Sequence, residues 1–328
     1  PGLRPPLCGL GVAALGLATA QGGSPWPEGA CRPSPPLCSK EVEEDDGDEA
    51  TEAEDEEDSV DSAGSLEDDD AQRAAEYTAD AFDARLRLES RKRVGPRFLD
   101  AQREVNPEMR GVLVDWIVGV HRTYRMRSET LYLTISIVDR FLARRQVRRR
   151  EVQLLGVVAL FIASKYEETR APRIADLSYI TANAYTAQDI LGMECAVLAA
   201  LEYAVAAATP AHFADDLERA AGCGEVQRSL VRYLVELALV EAHMVRHEPS
   251  QLVSAALLLS NELLHRKPLW SRAVARSARR SEVDVRPVAE EMREVLRAAP
   301  RAKLQSVRSK FRSPHHDAVA ELAWCRCP

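Results

Sequence analysis

From about residue 72 onward, apolar residues recur every three or four positions, and no stretch shows the alternation of period two that marks a half-buried strand. This pattern predicts an all-α protein. A first amphipathic helix is predicted at about 72–90, and a basic patch follows it at 91–97. A first block of five predicted helices then covers residues 106–125, 128–142, 149–168, 172–183 and 186–203.

Helix-start signals support several of these boundaries. Asn106 is a suitable N-cap with Pro107 at the first helical position, and Thr186 with Asp189 matches the capping-box pattern. Thr209 followed by Pro210 starts a second block of five predicted helices, and the stretch after that block is basic. The second block covers residues 209–222, 225–247, 249–267, 269–280 and 285–300.

The order of these blocks predicts the domain organisation. Residues 1–71 form a tail that is biased first toward Ala, Gly and Pro and then toward acidic residues, and residues 72–105 form the first helix and a linker. Two five-helix domains follow at 106–205 and 206–300. Residues 301–328 form a C-terminal tail.

Charge is distributed unevenly along the chain. The formal net charge is −8, yet residues 41–70 hold 18 acidic residues and no Lys or Arg, so the helical part is basic. Such a segment buries too little apolar surface to offset the entropy of ordering it, and we expect the tail to be disordered. Two interpretations stay open, an acidic arm that binds the basic body or a basic partner, and a solvated linker.

The first residues and the cysteines bear on the compartment. The stretch RPPLCGLGVAALGLATAQGG at 4–23 is either signal-peptide-like, with Ala18-Thr19-Ala20 as its cleavage pattern, or a disordered leader. Seven scattered cysteines without a C-x-x-C pair favour neither a disulfide framework nor zinc, and they indicate a reducing compartment. No other stretch approaches the ~18–20 apolar residues of a membrane span, so no membrane association is expected.

Four charged residues fall on helix faces that the apolar pattern marks as buried: Arg110, Asp139, Lys165 and Glu194. An unpaired buried charge is costly, so these groups need partners. Two positive and two negative groups allow two pairs, Arg110 with Asp139 on consecutive helices and Lys165 with Glu194. The alternative is that the long side chains reach water and pair with nothing.

The apolar arc on the helix after Pro107 is wider than one core requires. Met109, Val112 and Trp116 form an i, i+3, i+7 line on it. This line is either an exposed groove for a partner or one side of a central helix that is buried on most sides.

Three ordered stretches resemble the cyclin box of a mitotic, B-type cyclin: MRGVLVDWIVGVHRTYRMRSETLYLTISIVDRFL, VQLLGVVALFIASKYEE and YITANAYTAQDILGMECAVLAALEY. The resemblance extends over about 72–320. It implies two tandem five-helix cyclin-box domains with an extra N-terminal helix. It also implies a regulatory subunit without cofactors or chemistry of its own, nuclear and cytoplasmic, that activates a cyclin-dependent Ser/Thr kinase at the G2/M transition by holding its mobile helix in the active position.

The resemblance also implies roles for particular residues. Arg110, Asp139 and Leu154, together with Lys165 and Glu194, match the residues that characterise the family's box, and the first three stabilise it. The implied kinase contacts are Lys165, Tyr166, Glu194, Leu198 and Tyr203. The implied substrate-docking groove, which takes Arg-x-Leu motifs, consists of Met109, Val112, Leu113, Trp116, Val152 and Gln153.

Several positions depart from the family pattern. Gly119 stands where relatives carry the acidic rim residue of the groove, so altered Arg-x-Leu docking is expected. Arg170 and Arg173 replace Tyr and Glu near the kinase contact, which puts partner choice in doubt. The stretch RRQVRRRE at 144–151 is unusually basic, and either captures phosphorylated substrates or is a solvated loop.

The family's destruction box, which implies ubiquitin-ligase machinery as a partner, is matched only in its first half by Arg4 and Leu7. The basic patch 91–97 is either a nuclear localisation signal or a basic loop. A cyclin-fold scaffold or transcription-type protein that activates no kinase is the alternative function, whereas no direct nucleic-acid binding is expected under the main hypothesis. An enzyme is disfavoured, because no phosphate loop, catalytic triad or metal-ligand spacing of histidines occurs.

Overall fold

The computed structural model describes residues 80–322, so Arg4, Leu7 and the acidic segment lie outside the described residues. Within that range the protein is α-helical and contains no strand, as the apolar period predicted. Helix α1 covers residues 80–92. The first domain then contains α2 (Pro107–Thr123), α3 (Ser128–Leu142), α4 (Val152–Glu167), α5 (Ile174–Ile180) and α6 (Ala187–Ala200).

The predicted caps are present at the helix starts. The Asn106 side chain accepts a hydrogen bond from Met109 N at 2.8 Å, and Thr186 and Asp189 form the predicted capping box. Each cap satisfies backbone N–H groups that have no partner within the helix. These local signals therefore fix where α2 and α6 begin.

The second domain repeats the order of the first with five further helices. Its predicted helix at 225–247 is wrong in one respect, because the regular helix ends at Val240 and a 3-10 turn follows at Ala242–Arg246. That turn buries Met244 in the core. The five helices are α7 (Pro210–Ala220), α8 (Glu225–Val240), α9 (Pro249–Leu263), α10 (Arg272–Ala278) and α11 (Glu282–Ala298).

Helix α1 packs against the second domain. The ring of Phe82 meets that of Phe213 on α7 edge-on, with centroids 5.3 Å apart. The buried Glu89 carboxylate accepts hydrogen bonds from Ser250 N at 2.9 Å and Ser250 Oγ at 2.7 Å, at the first turn of α9. Burial raises the pKa of Glu89, although these two bonds oppose the shift. A carboxylate from α1 thus caps a helix of the second domain.

The segment predicted as a C-terminal tail is instead part of the folded body. It forms α12 (Ser306–Phe311), whose Phe311 is buried against Tyr233 of α8. Lys310 Nζ donates to Glu236 Oε1 at 2.6 Å, and both side chains are buried. Asp115 of α2 accepts from Ser306 N and Oγ, each at 2.8 Å. Residues 302–322 therefore join the two domains, although their composition is that of a basic tail.

Arg110 makes the central polar contact of the molecule. Its Nε and Nη2 donate to the two carboxylate oxygens of Asp139, both at 2.7 Å, and its side chain is 1% exposed. The remaining Nη1 donates to Leu239 O at 2.8 Å, at the C-terminal end of α8. The predicted pair is confirmed, and Arg110 also caps the C-terminal end of α8 in the other domain.

We expect that loss of either partner of this pair destabilises the fold strongly, because the other charge is left buried and unpaired. Arg110→Met and Asp139→Leu should each lower the free energy of unfolding by about 3 to 5 kcal/mol. The double variant should cost less than the sum of the two, since it leaves no unpaired charge. Urea unfolding followed by circular dichroism measures all three, and single variants within about 1 kcal/mol of wild type would contradict the assigned role.

His121, near the end of α2, is held in its neutral form. Its Nε2 lies 2.7 Å from Arg127 O, and its buried Nδ1 has no hydrogen-bond partner in the described part of the chain. Burial, and secondly the charge of Lys310, lowers the pKa of His121 from 6.5 to about 4. In the unfolded chain the imidazole takes up a proton near pH 6.5, whereas in the folded protein it does not.

Stability should therefore fall as the pH drops from 6.5 toward 4, because only the unfolded state binds the proton. The contribution of His121 reaches about 3 kcal/mol at pH 4. His121→Gln keeps a donor for Arg127 O and has no group that titrates there. Urea unfolding between pH 4 and pH 8 should show a shallower pH dependence for that variant. Equal slopes for the two proteins would exclude His121 as the titrating group.

Candidate functional site

The second predicted ion pair lies at the surface between α4 and α6. Lys165, in the last turn of α4, donates from Nζ to Glu194 Oε1 in the middle of α6. The same Nζ lies 4.2 Å from the centroid of the Phe161 ring, one turn earlier on α4. The pairing predicted from the apolar stripes is therefore confirmed, and Lys165 does not extend unpaired into water.

This pair differs from the Arg110 pair in its exposure. The Lys165 side chain is 44% exposed, while that of Glu194 is 10% exposed. An ammonium group has three N–H donors, and Glu194 and the ring of Phe161 occupy only one side of it. Lys165 is thus held in place from below and still presents donors to solvent.

Exposed and half-buried apolar side chains lie on the same two helices and on the turn after α6. Tyr166 is 59% exposed, Tyr203 is 73% exposed, and Leu198 is half-buried on α6. Leu191, which sequence reasoning missed, is 44% exposed, and its i, i+3, i+7 spacing with Glu194 and Leu198 places it on the same side of α6. That spacing could have identified Leu191 from the sequence alone. We call these six residues the Lys165 face: Lys165, Tyr166, Leu191, Glu194, Leu198 and Tyr203.

The backbone after α6 fixes the position of Tyr203. Glu202 and Tyr203 both adopt the left-handed conformation, with φ of 54° and 57°, and Tyr203 N donates to Leu198 O at 2.8 Å. Bulky residues rarely adopt this conformation, and where it occurs the strain is often associated with function. The left-handed turn therefore ends α6 and holds a large ring in solvent.

The six residues of the predicted groove lie where α2 packs against α4. A Cβ at Gly156 would lie 2.6 Å from Leu113 Cδ1, so the two helices approach closely at that point. Met109 and Val112 are half-buried, and only they offer appreciable surface to a partner. Trp116, Leu113, Val152 and Gln153 are buried. The line of Met109, Val112 and Trp116 is thus only partly exposed. It is neither a fully exposed groove nor a fully buried side of a central helix.

One polar group at this crossing has no partner. Gln153 is 1% exposed, and its Nε2 makes no hydrogen bond within residues 80–322. A buried amide without a partner is costly, which marks this position as one that suits an incoming acceptor. Gly119 is buried and adds no side chain to the rim, while its carbonyl accepts from Thr123 Oγ1 at 2.9 Å.

The remaining predicted residues have simple positions. Leu154 is buried in the core of the first domain. Arg170 and Arg173 are exposed in the segment that joins α4 to α5, and Arg173 N donates to Asp176 Oδ2 at 2.9 Å. Among residues 80–322, no group of three or more His, Cys, Asp or Glu side chains is arranged to hold a metal ion. No helix in that range is long and apolar enough to cross a membrane.

Comparison with known proteins assigns both domains. The family model "Cyclin, N-terminal domain" matches residues 80–206, and "Cyclin, C-terminal domain" matches residues 208–323. The fold is similar to the X-ray structure of a viral cyclin from herpesvirus saimiri, with a TM-score of 0.57 and 20% identity. That match covers 66% of this chain and 97% of the viral one.

Two curated relatives are similar in sequence as well. A G2/mitotic-specific cyclin-B from Marthasterias glacialis is 35% identical over 255 residues, which are 78% of this chain and 66% of the relative. A G2/mitotic-specific cyclin-B2 from Homo sapiens is 42% identical over 196 residues, 59% of this chain and 48% of the relative. The chain thus spans about half to two thirds of the length of these relatives.

Proposed function

The chain belongs to the cyclin family, and we propose that it is a non-catalytic regulatory subunit that binds and activates a cyclin-dependent Ser/Thr kinase. The similarity to G2/mitotic-specific relatives supports a role at the G2/M transition. We propose further that the protein acts in the nucleus and the cytoplasm. The Lys165 face is the observation that carries the proposal.

Three properties of the Lys165 face suit a protein partner. It presents exposed apolar rings, which a monomeric protein rarely leaves in solvent without a purpose. The ammonium of Lys165 is already fixed by Glu194, so little conformational entropy is lost when a partner binds it. The rings of Tyr166 and Tyr203 resemble the aromatic residues that supply most of the affinity at protein interfaces.

The proposed mechanism is positional. In a protein kinase, the helix that carries the glutamate of the catalytic Lys–Glu ion pair moves between inactive and active positions. A rigid helical surface bound beside it favours the active position by binding that state more tightly. Lys165 would donate to backbone carbonyls of the kinase, while Tyr166, Leu198 and Tyr203 would exclude water around that contact.

Substrate recruitment is the second part of the proposal. The half-buried Met109 and Val112 would accept the leucine of an Arg-x-Leu motif, and the amide of Gln153, which is 1% exposed in the free protein, would turn outward to donate to the backbone of the docked segment. Gly119 supplies no carboxylate for the arginine of such a motif. Docking through apolar contacts and Gln153 should therefore depend little on that arginine.

Substitution of the ion pair tests the activator role. In the 328-residue chain, Lys165→Ala/Glu194→Ala should reduce the histone-type substrate phosphorylation of a mitotic cyclin-dependent kinase by at least about tenfold, since it removes a fixed charge from the centre of the interface. The far-ultraviolet circular dichroism of the variant should equal that of wild type, because Lys165 is part of a partly exposed pair.

The matched control is the exposed pair of Arg297 and Glu294 on α11, whose atoms lie 2.8 Å apart. Arg297→Ala/Glu294→Ala should leave activation unchanged. If the wild-type chain binds and activates no such kinase, the activator role is wrong. The cyclin-fold scaffold, with salt-dependent binding of nucleic acid through the basic body, then becomes the better hypothesis.

A further inference from the structure

The loop between α3 and α4 is fastened to the linker that precedes α2. Gln102 Nε2 donates to Leu142 O and to Arg145 O, both at 2.6 Å, and Gln102 Oε1 accepts from Val147 N at 3.1 Å. Gln146 Oε1 in turn accepts from Arg103 N at 3.2 Å. Val147, between these hydrogen-bonded residues, is buried. The loop is therefore rigid, although it carries little apolar surface.

The same loop carries five exposed arginines and no lysine. We call this set the arginine platform: Arg144, Arg145, Arg148, Arg149 and Arg150. Arg144 is engaged with its own fold, since Nη1 donates to Ala200 O at 2.6 Å. Arg148 and Arg150 each lie 4.0 Å from Glu151 Oε1, too far for a hydrogen bond, with side chains 63% and 71% exposed. The guanidinium groups of Arg148 and Arg150 are thus exposed to an anion on a fixed loop.

Two features of the platform indicate which anion it can bind: its cations are all arginines, and carboxylates lie around it. Guanidinium groups bind phosphate through two parallel N–H bonds, and they lose less entropy per hydrogen bond than lysine does. Glu104, Glu151 and Glu202 border the platform, because Glu104 accepts from Arg149 N at 3.0 Å and Glu202 lies 3.9 Å from Arg144. A long polyanion such as nucleic acid would meet all three carboxylates, whereas a single phosphate group beside Arg148 and Arg150 would meet only Glu151.

The platform adjoins the proposed groove. Arg149–Glu151 form a 3-10 turn that leads directly into α4, whose first two residues are Val152 and Gln153 of the groove. Tyr185 OH donates to Arg150 O at 2.8 Å and fixes that turn against the segment before α6. A segment docked beside Gln153 would continue toward the arginines.

We propose that the arginine platform binds a phosphoserine or phosphothreonine in a protein segment that docks in the groove beside it. This inference extends the proposed recruitment of substrates. It rests on that proposal only in that the groove would hold the other part of the bound segment. It assigns to this chain a preference for partners that have already been phosphorylated.

Binding of labelled peptides to the 328-residue chain tests the platform without any kinase. The probes carry an Arg-x-Leu motif and one phosphothreonine, at three spacings on either side, and are compared with the same peptides carrying threonine or glutamate. At about 150 mM salt, fluorescence anisotropy should show roughly tenfold or tighter binding for one phosphorylated spacing, as expected for a charged hydrogen-bonded contact.

The test variant is Arg145→Gln/Arg148→Gln/Arg150→Gln, which leaves Arg144 and its contact to Ala200 intact. It should bind the phosphorylated and unmodified peptides equally. The matched control, with the same charge change on the second domain, is Arg272→Gln/Arg276→Gln/Arg301→Gln, and it should keep the full preference. Circular dichroism verifies that both variants are folded.

The outcomes separate the platform from the groove. No preference for phosphate at any spacing, or an equal preference for glutamate peptides and single-stranded DNA, would overturn the platform as a phosphate site. A phosphate preference that persists when the Arg-x-Leu motif is replaced by alanines would support the platform and contradict the groove. Equal loss of preference in the test and control variants would overturn the proposal, because net charge alone would then explain it.

Discussion

The guanidinium of Arg110 holds the structure together at a single point. Its planar group donates to Asp139 through two parallel bonds and to the last turn of α8 through a third, so one side chain joins α2, α3 and the second domain. No other side-chain chemistry offers that geometry, since lysine is a point charge with rotatable donors. The position of α2 follows from this contact, and α2 in turn carries the half-buried Met109 and Val112 and the carboxylate of Asp115 that holds α12.

The ion pairs of Arg110, Lys310 and Lys165 are of two kinds. Closed pairs are buried on both sides, and open pairs leave one partner exposed to solvent. The pairs of Arg110 with Asp139 and of Lys310 with Glu236 are buried, so neither presents donors to solvent. Such pairs fix register at a desolvation cost and contribute modestly to net stability. Lys165 is paired on one side and exposed on the other, which stabilises its orientation without using all its donors. Only the open kind can serve a partner.

Much of this arrangement could be predicted from the sequence, because it depends on local periodicity. Charges on apolar stripes indicated both pairs in the first domain, and the caps at Asn106 and Thr186 indicated the starts of α2 and α6. The contact of Arg110 with the end of α8 could not be found in this way, since its acceptor at Leu239 lies more than a hundred residues later in the sequence. Burial of α12 was missed for a similar reason, because the acid that neutralises Lys310 is Glu236, on another helix.

Rigidity is the property that the Lys165 face and the arginine platform share, and backbone hydrogen bonds contribute to it in each. Tyr203 is fixed by a left-handed turn and one backbone hydrogen bond, and Arg145 by the amide of Gln102. In both places the exposed side chain belongs to a residue, Tyr203 or Arg145, whose backbone makes a hydrogen bond within the fold. A partner then loses less entropy on binding than it would at a mobile loop. The entropy of ordering each surface is lost when the protein folds and not when a partner binds. Sequence periodicity indicates which residues are buried, so it does not fully identify either of these exposed surfaces.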